Sequence, residues 1–420
     1  MSGTASRGVR PRPPRTATLA LTSAAAALSL LLTACSSGST TATGSDGGKL
    51  TLTEMDYYNT GTTMTALPQL LNSCGKQAGV TVKRQIVPDL RTKLIQLASS
   101  HAVPDLVLLD NPDLQQLAAT GALADLGAAG LSTDGLYPNV VEAGRYQGKQ
   151  YGVAPGVNAL ALYYNKKLFT QAGVEPPTTW DELKTAAKKL TDGDKRRGLG
   201  FAVPATEEGS FQFESFFLSA GADLTKLDSD QAVSALELLD GLVTSGSSPK
   251  DVLTWTQANV EEQFANGSLA MMVNGPWQLP QLKKAGMTEY GIVPMPTPTA
   301  GGTPSGALGG EVWAAGNNGA KSRKAAEVIK CMTSAKNSLT WSELTTYVPS
   351  SRQAAAKLAA GDPDMKPFVD GIAGAQGRTA KLGAKYPAYS QALWTAVQSA
   401  LSGQKSPRAA LGDAQRQATR

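Results

Sequence analysis

The residues of this 420-residue chain that could do chemistry are aromatic, acidic and amide side chains, together with one histidine, His101. No zinc-type spacing of Cys or His surrounds His101, and neither a G-x-S-x-G elbow nor a P-loop occurs. "GLGFAV" lacks the third glycine of a dinucleotide loop, so neither a metal nor a cofactor is expected. Two carboxylates suffice for glycoside hydrolysis, and Glu207 with Glu208, or Asp110 with Glu311, are the available pairs. The aromatics carry more information. Tyr57, Tyr58, Trp277 and Trp313 fall at expected strand ends or in adjoining turns. Aromatic planes can cover the C–H face of a sugar ring while Asp, Asn, Glu or Arg bond its hydroxyl rim. The plainer role for any one such ring is core packing, and Phe211 and Phe213 in "EEGSFQFESFFLSAGADL" are read as core.

The elements that must position these groups alternate. "KLTLTEMD" reads as a strand that leaves Asp56, Tyr57 and Tyr58 at its carboxyl end. A helix through "TALPQLLNSCGKQAG", a strand "VTVKRQIV", a helix "RTKLIQLASS", a strand "PDLVLLD" and a helix "PDLQQLAATG" follow. Such alternation implies right-handed crossovers and a parallel sheet, with ligands collecting beyond the carboxyl ends of its strands. Tyr57, Asp110 and Asn111 therefore share one edge. Near residue 155 the texture changes: "GKQYGVAPGVNALALYYNKKLF" reads as strand, Pro/Gly break and strand. Thr179 and Glu182 have the capping-box spacing at the start of the next helix. "GIVPMPTPTAGGTPSGALGG" reads as a second crossover, "EVWAAG" as a strand and "SRKAAEVIKCMTSAKN" as a helix. An irregular stretch "GRTAKLGAKYPAYS" precedes the final helices. In "NGPWQL", Gly275 lets a strand turn and Pro276 suits the first turn of a helix, which leaves Trp277 at the seam.

Composition supplies an address. With 41% hydrophobic and 17% charged residues, the chain resembles an ordinary folded protein of two or more domains. Arg7, Arg10, Arg12 and Arg15 precede the uncharged "TATLALTSAAAALSLLLTAC", so residues 1–34 read as a signal peptide. Its end, "LTAC", resembles the bacterial lipobox, in which Cys35 would receive a diacylglycerol; two acyl chains suffice for stable anchoring. Residues 35–49 form a Ser/Gly/Thr tether reaching about 20 Å. Removing residues 1–34 leaves 35 basic against 34 acidic residues, which gives no overall attraction to nucleic acid. Outside the cytoplasm Cys74 and Cys331 either bridge or remain two buried thiols.

The ordered segments resemble the family 1 extracellular solute-binding proteins of ABC importers, typified by maltose-type sugar binders. The resemblance rests on "HAVPDLVLLDNPDLQQLAATGALADL", "GKQYGVAPGVNALALYYNKKLFTQAGVEPPTTWDEL", "FANGSLAMMVNGPWQL", "GIVPMPTP", "GALGGEVWAAG" with "KAAEVIKCMTS", and "YVPSSRQAA", in family order from about residue 50 to 400. It implies an α/β, two-lobed periplasmic-binding-protein fold with hinge crossovers and an interlobe ligand cleft. The expected N-terminal lobe is 50–155 and 308–338, and the C-terminal lobe 156–307 and 339–420. Hinges are expected near 155 and 305, with a third after a helix ending near Asn337. Carried over by position, Asp56, Tyr57 and Asp110 would line one lobe and Asn158 would face them; Asn111, on the shared edge, and Glu207 are further candidate ligand contacts. Trp277 would stack on sugar, Gly310 and Glu311 would approach the ligand, and Arg378 would match an arginine of the family. Thr379 departs from the proline usual after that arginine.

The resemblance further implies a non-enzymatic, monomeric receptor, exported and lipid-anchored to the outer face of the cell membrane. It would capture a carbohydrate, an oligosaccharide by expectation, and deliver it to the transmembrane subunits of an ABC permease. The alternatives are another polar solute on the same fold (a polyol, glycerol phosphate or peptide) or an extracytoplasmic glycosidase.

Overall fold

The computed structural model describes residues 49–59 and 63–420; the stretch read as a signal peptide, Cys35 and nearly all of the expected tether lie outside the described residues. The first α/β run forms β1 (Thr51–Asp56), α1 (Thr63–Gln77), β2 (Thr81–Ile86), α2 (Leu90–Ser99) and β3 (Leu106–Asp110). Short strands around the Pro/Gly break include β4 (Gly152–Val153), after which β5 (Ala161–Asn165) and β6 (Arg197–Gly200) enter a second sheet. There follow α3 (Glu207–Ser219), β7 (Leu269–Asn274) and β8 (Tyr290–Val293). The chain then returns as β9 (Glu311–Ala315), α4 (Ala320–Met332) and, near the end, α5 (Tyr386–Leu401).

One sheet has the order β2-β1-β3-β9-β4 and the other β8-β5-β7-β6. β1 is parallel to both β2 and β3, as the alternating pattern requires. The expectation of a wholly parallel sheet is corrected by β9, which runs antiparallel to β3 and to β4. The reason is topological. β9 comes back from the second sheet and enters at the edge where β3 leaves, so it must run the other way. The consequence is chemical, because Glu311 at the start of β9 sits in register with Asp110 at the end of β3.

Helix signals in the sequence are met in detail. Thr179 Oγ1 accepts from the Glu182 amide at 3.2 Å, and Glu182 Oε2 accepts from the Thr179 amide at 3.1 Å. The stretch 377–390 is less irregular than expected, since α5 begins at Tyr386 with Pro387 in its first turn, where the missing N–H costs nothing. No helix ends near Asn337: α4 stops at Met332 and the next helix, Ala335–Thr345, runs through that residue.

One face of each sheet has its own apolar packing, while a further cluster takes in residues of both, among them Val107 and Met272. Leu52, Leu106, Leu108 and Trp313 pack against Leu67 and Leu71 of α1 and Ile329 of α4. Around the second sheet, Leu162, Leu199 and Val273 meet Phe213 and Phe217 of α3 and Leu393 of α5. Trp313, expected at a strand end, is instead fully buried in the middle of β9. A disulfide joins Cys74 of α1 to Cys331 of α4, with a Cα separation of 5.5 Å. Both sheets belong to the compact unit Lys49–Arg420, and no helix among the described residues is long and apolar enough to cross a membrane.

Candidate functional site

Crossing backbone builds the floor of the site. Asn158 and Gly309 exchange hydrogen bonds, 3.1 Å from the Asn158 amide to the Gly309 carbonyl and 2.9 Å in return. The crossover turns at Gly310, whose φ of +107° favours glycine, and its carbonyl accepts the Asn111 amide at 3.1 Å. A β-carbon on Gly309 would lie 2.0 Å from Asn158 Oδ1 and 2.8 Å from the Phe211 ring. The glycine pair therefore lets two chains cross directly beneath an open space.

Arg378 spans that space from below. It follows the short strand Gln376–Gly377, which pairs with Ala307–Leu308 in the crossover. Its Nη2 donates to Asp110 Oδ1 at 2.8 Å and to Asn111 Oδ1 at 3.2 Å, and its Nη1 donates to Glu207 Oε1 at 2.6 Å. The guanidinium lies 5.1 Å over the Phe211 ring. Arg378 is nearly fully buried, so these partners offset the cost of desolvating its charge.

Carboxylates are layered behind it. Glu207 opens α3 and accepts from the Tyr386 hydroxyl at 2.6 Å, while that hydroxyl lies 2.9 Å from Glu214 Oε1. Burial, and then the Glu207 charge, push Glu214 up to about 8. Burial raises Glu207 as well, opposed by Arg378. On the opposite wall, Glu311 Oε1 accepts from Tyr57, and from Tyr347 at 3.4 Å; its Oε2 is buried without a well-formed hydrogen bond among the described residues. Burial pushes Glu311 up to about 7 despite the Tyr57 hydrogen bond.

Trp277 lies in the turn Pro276–Gln278 directly after β7. The indole folds back over its own turn, and a β-carbon on Gly275 would sit 2.0 Å from the ring. It is flanked by Phe211, centroids 6.5 Å apart, and Tyr347, 6.2 Å. Tyr163 donates to the Gly275 carbonyl at 2.8 Å and Thr346 to the Pro276 carbonyl at 2.7 Å, which pins the turn from both sides.

These walls enclose a cavity of about 410 Å³ that meets a second of about 780 Å³ along Tyr57, Asp110, Glu207 and Glu208. Of the ten expected ligand contacts, eight line the smaller one, Tyr57, Asp110, Asn158, Glu207, Trp277, Gly310, Glu311 and Arg378, joined by Tyr58 and Glu208. Two do not. Asp56 is fully buried, held by Arg84 at 2.5 and 2.7 Å while it caps the Tyr58 amide at 2.7 Å. Asn111 is buried and donates to the Leu308 carbonyl at 3.2 Å, so it braces the crossover. Both position site residues and neither faces the cavity. Phe211 is buried in the core, as expected from sequence, and also lines the cavity, as do Tyr347 and Gln257, for which there was no expectation from sequence. Nothing in local pattern marks Tyr347; it reaches the site because Thr346, at φ +58°, reverses the chain just before it. Among the described residues no group of three His, Cys, Asp or Glu side chains is placed to hold a metal.

Two α/β sheets linked by crossovers, with an aromatic and acidic cleft where the linkers cross, define a two-lobed solute-binding fold. Residues 69–367 match the family of bacterial extracellular solute-binding proteins, and the chain belongs to it. A binding protein of Brucella abortus (strain 2308) is 29% identical over 175 residues, 40% of this chain and 41% of that one, so the match spans about two fifths of that relative. The galactooligosaccharide-binding protein of Bacillus subtilis (strain 168) is 25% identical over 331 residues, 74% of this chain and 75% of that one. The crystal structure of the cyclic alpha-maltosyl-1,6-maltose binding protein from Arthrobacter globiformis superposes with a TM-score of 0.75 at 26% identity. It covers 88% of this chain and 98% of its own.

Proposed function

We propose that the chain is the receptor of an ABC importer, capturing an oligosaccharide in this cleft and passing it unchanged to the permease. The observation that carries the reading is the pairing, in one cavity, of the Trp277–Phe211–Tyr347 aromatic wall with the polar rim of Asp110, Glu207, Glu311 and Asn158. A sugar ring needs both surfaces at once. The Bacillus subtilis and Arthrobacter globiformis relatives are named for oligosaccharide ligands, which supports the same class here. In this reading the lobes are 50–155 with 308–338 and 156–307 with 339–420, and they close on the ligand as a monomer. Cys35 carries the lipid that tethers the body to the outer face of the membrane.

Binding is favoured over hydrolysis by Arg378. The guanidinium holds both Asp110 and Glu207, so neither is free to serve as acid or nucleophile without breaking a buried ion pair. A phosphorylated ligand is disfavoured for the same reason, since those donors are already taken. A thermal-shift screen over neutral mono-, di- and oligosaccharides tests the reading, because a ligand of the folded state raises apparent stability by mass action. At least one oligosaccharide is expected to raise Tm. A flat response across sugars with a shift from a peptide or polyol would reassign the ligand.

A further inference from the structure

The charges around the cleft do not balance. Asp110, Asp113, Glu207, Glu208, Glu311 and Asp89 line the two joined cavities, against Arg91 and Arg378. Both arginines are already engaged: Arg91 donates to Asp113 at 2.8 Å, and Arg378 to Asp110 and Glu207. Asp89 faces the Thr92 amide at the start of α2, and Glu208 accepts only the Gln257 amide among the described residues, at 2.6 Å. Glu311 accepts tyrosine hydroxyls on one oxygen, while its other oxygen and the neighbouring Tyr58 hydroxyl are buried without a well-formed hydrogen bond among the described residues. Around it stand Tyr57, Tyr347 and Trp277, the last two in edge contact at 6.2 Å.

A neutral hydroxyl can hydrogen-bond Glu311 whether that buried carboxyl is protonated or not, but brings no charge to offset its ionised form. A protonated amine supplies both donors and charge, and aromatic faces attract it as well. An anionic sugar meets repulsion, because among the described residues no cation lining the cleft is free of a carboxylate. Resting on the carbohydrate reading above, we infer that the preferred ligand is an oligosaccharide carrying a protonated amine, held between Glu311, Glu208 and the Trp277–Tyr347 rings, and that uronic or phosphorylated sugars are excluded.

The test is calorimetric titration of the full chain at neutral pH with three trisaccharides of matched length: maltotriose, the glucosamine trimer and trigalacturonate. The glucosamine trimer is expected to bind at least about tenfold tighter than maltotriose, and trigalacturonate not measurably. High salt should shrink the amine advantage, since the smaller cavity is open to solvent screening. Glu311→Gln brings the amine-to-neutral ratio down toward one. Glu208→Gln, at a partly exposed position, must move the ratio in the same direction, which guards against a folding defect at the buried site. Equal binding of the amine and neutral trimers, or binding of trigalacturonate as tight as either, overturns the inference while leaving the carbohydrate reading intact. Failure of all three to bind removes the carbohydrate reading with it.

Discussion

Tyr386 has one hydroxyl proton and two carboxylates within hydrogen-bond distance, Glu207 at 2.6 Å and Glu214 at 2.9 Å. Both contacts are satisfied only if one carboxyl brings its own proton, and Glu214, pushed up to about 8 by burial and the Glu207 charge, is the group that keeps it. Tyr386 can then donate to Glu207 while accepting from Glu214. The sign of the stability effect follows. A carboxyl raised in the folded state is favoured while protonated, so its contribution is complete below the ordinary carboxylate range and is lost as pH rises through about 8. Glu311, raised to about 7, acts in the same direction. Stability is therefore expected to fall between about pH 5 and pH 8. Glu214→Gln, which mimics the protonated acid, should flatten that slope and gain about 1–3 kcal/mol at pH 8 with little change at pH 5. Melting curves at the two pH values check it; an unchanged slope would show that Glu214 is ionised in the fold. Trp277→Ala should weaken oligosaccharide binding by at least about tenfold with only a modest fall in Tm, because the indole is only partly buried at the cleft wall. A collapse in Tm with binding retained would make it a core residue. At this scale the sequence was informative where a residue's position follows from its strand, as for Tyr57 and Asp110. It was silent where a side chain arrives from a distant segment. Phe211 is core, as its neighbours implied, but nothing local showed that Arg378, 167 residues further on, would lie 5.1 Å over its ring at the cavity.

Elements carry the site by where they cross. The capping box at Thr179, the strand ends and the Pro/Gly breaks were legible because each rests on local backbone chemistry. The antiparallel entry of β9 was not, since direction depends on which lobe the chain returns from, and no local pattern encodes that. Trp313 was misplaced for the related reason that an isolated strand does not reveal how many neighbours will cover it. The crossover is testable at Gly309, where an alanine methyl would meet Asn158 Oδ1 at 2.0 Å and Phe211 at 2.8 Å. Gly309→Ala should cost about 1–3 kcal/mol of stability and displace both side chains from the cavity, lowering affinity. Unchanged affinity by titration would mean that the crossover has room to yield. The Cys74–Cys331 bridge ties α1 to α4 on the sheet that carries Tyr57 and Asp110, 257 residues apart in sequence. Replacing both cysteines by serine should lower stability by about 2–4 kcal/mol and leave the ligand preference unchanged. Thiol titration of the unfolded, unreduced protein should find neither Cys74 nor Cys331 reactive.

At the scale of the whole molecule, the linking segments are held together by three backbone pairings: Gly156–Val157 with Val348–Pro349, Asn158 with Gly309, and Ala307–Leu308 with Gln376–Gly377. Arg378 lies beside these pairings and bridges Asp110 of β3 to Glu207 of α3. A ligand closes such a cleft only to the extent that it binds the closed arrangement better than the open one. The central claim is reversible capture of an oligosaccharide without turnover. Its most direct test is calorimetric titration with the sugars that raise Tm, followed by recovery of the ligand from the complex. The account predicts one site per chain and sugar recovered intact. Sugar recovered as cleaved product, or no sugar bound by the folded chain, would contradict it.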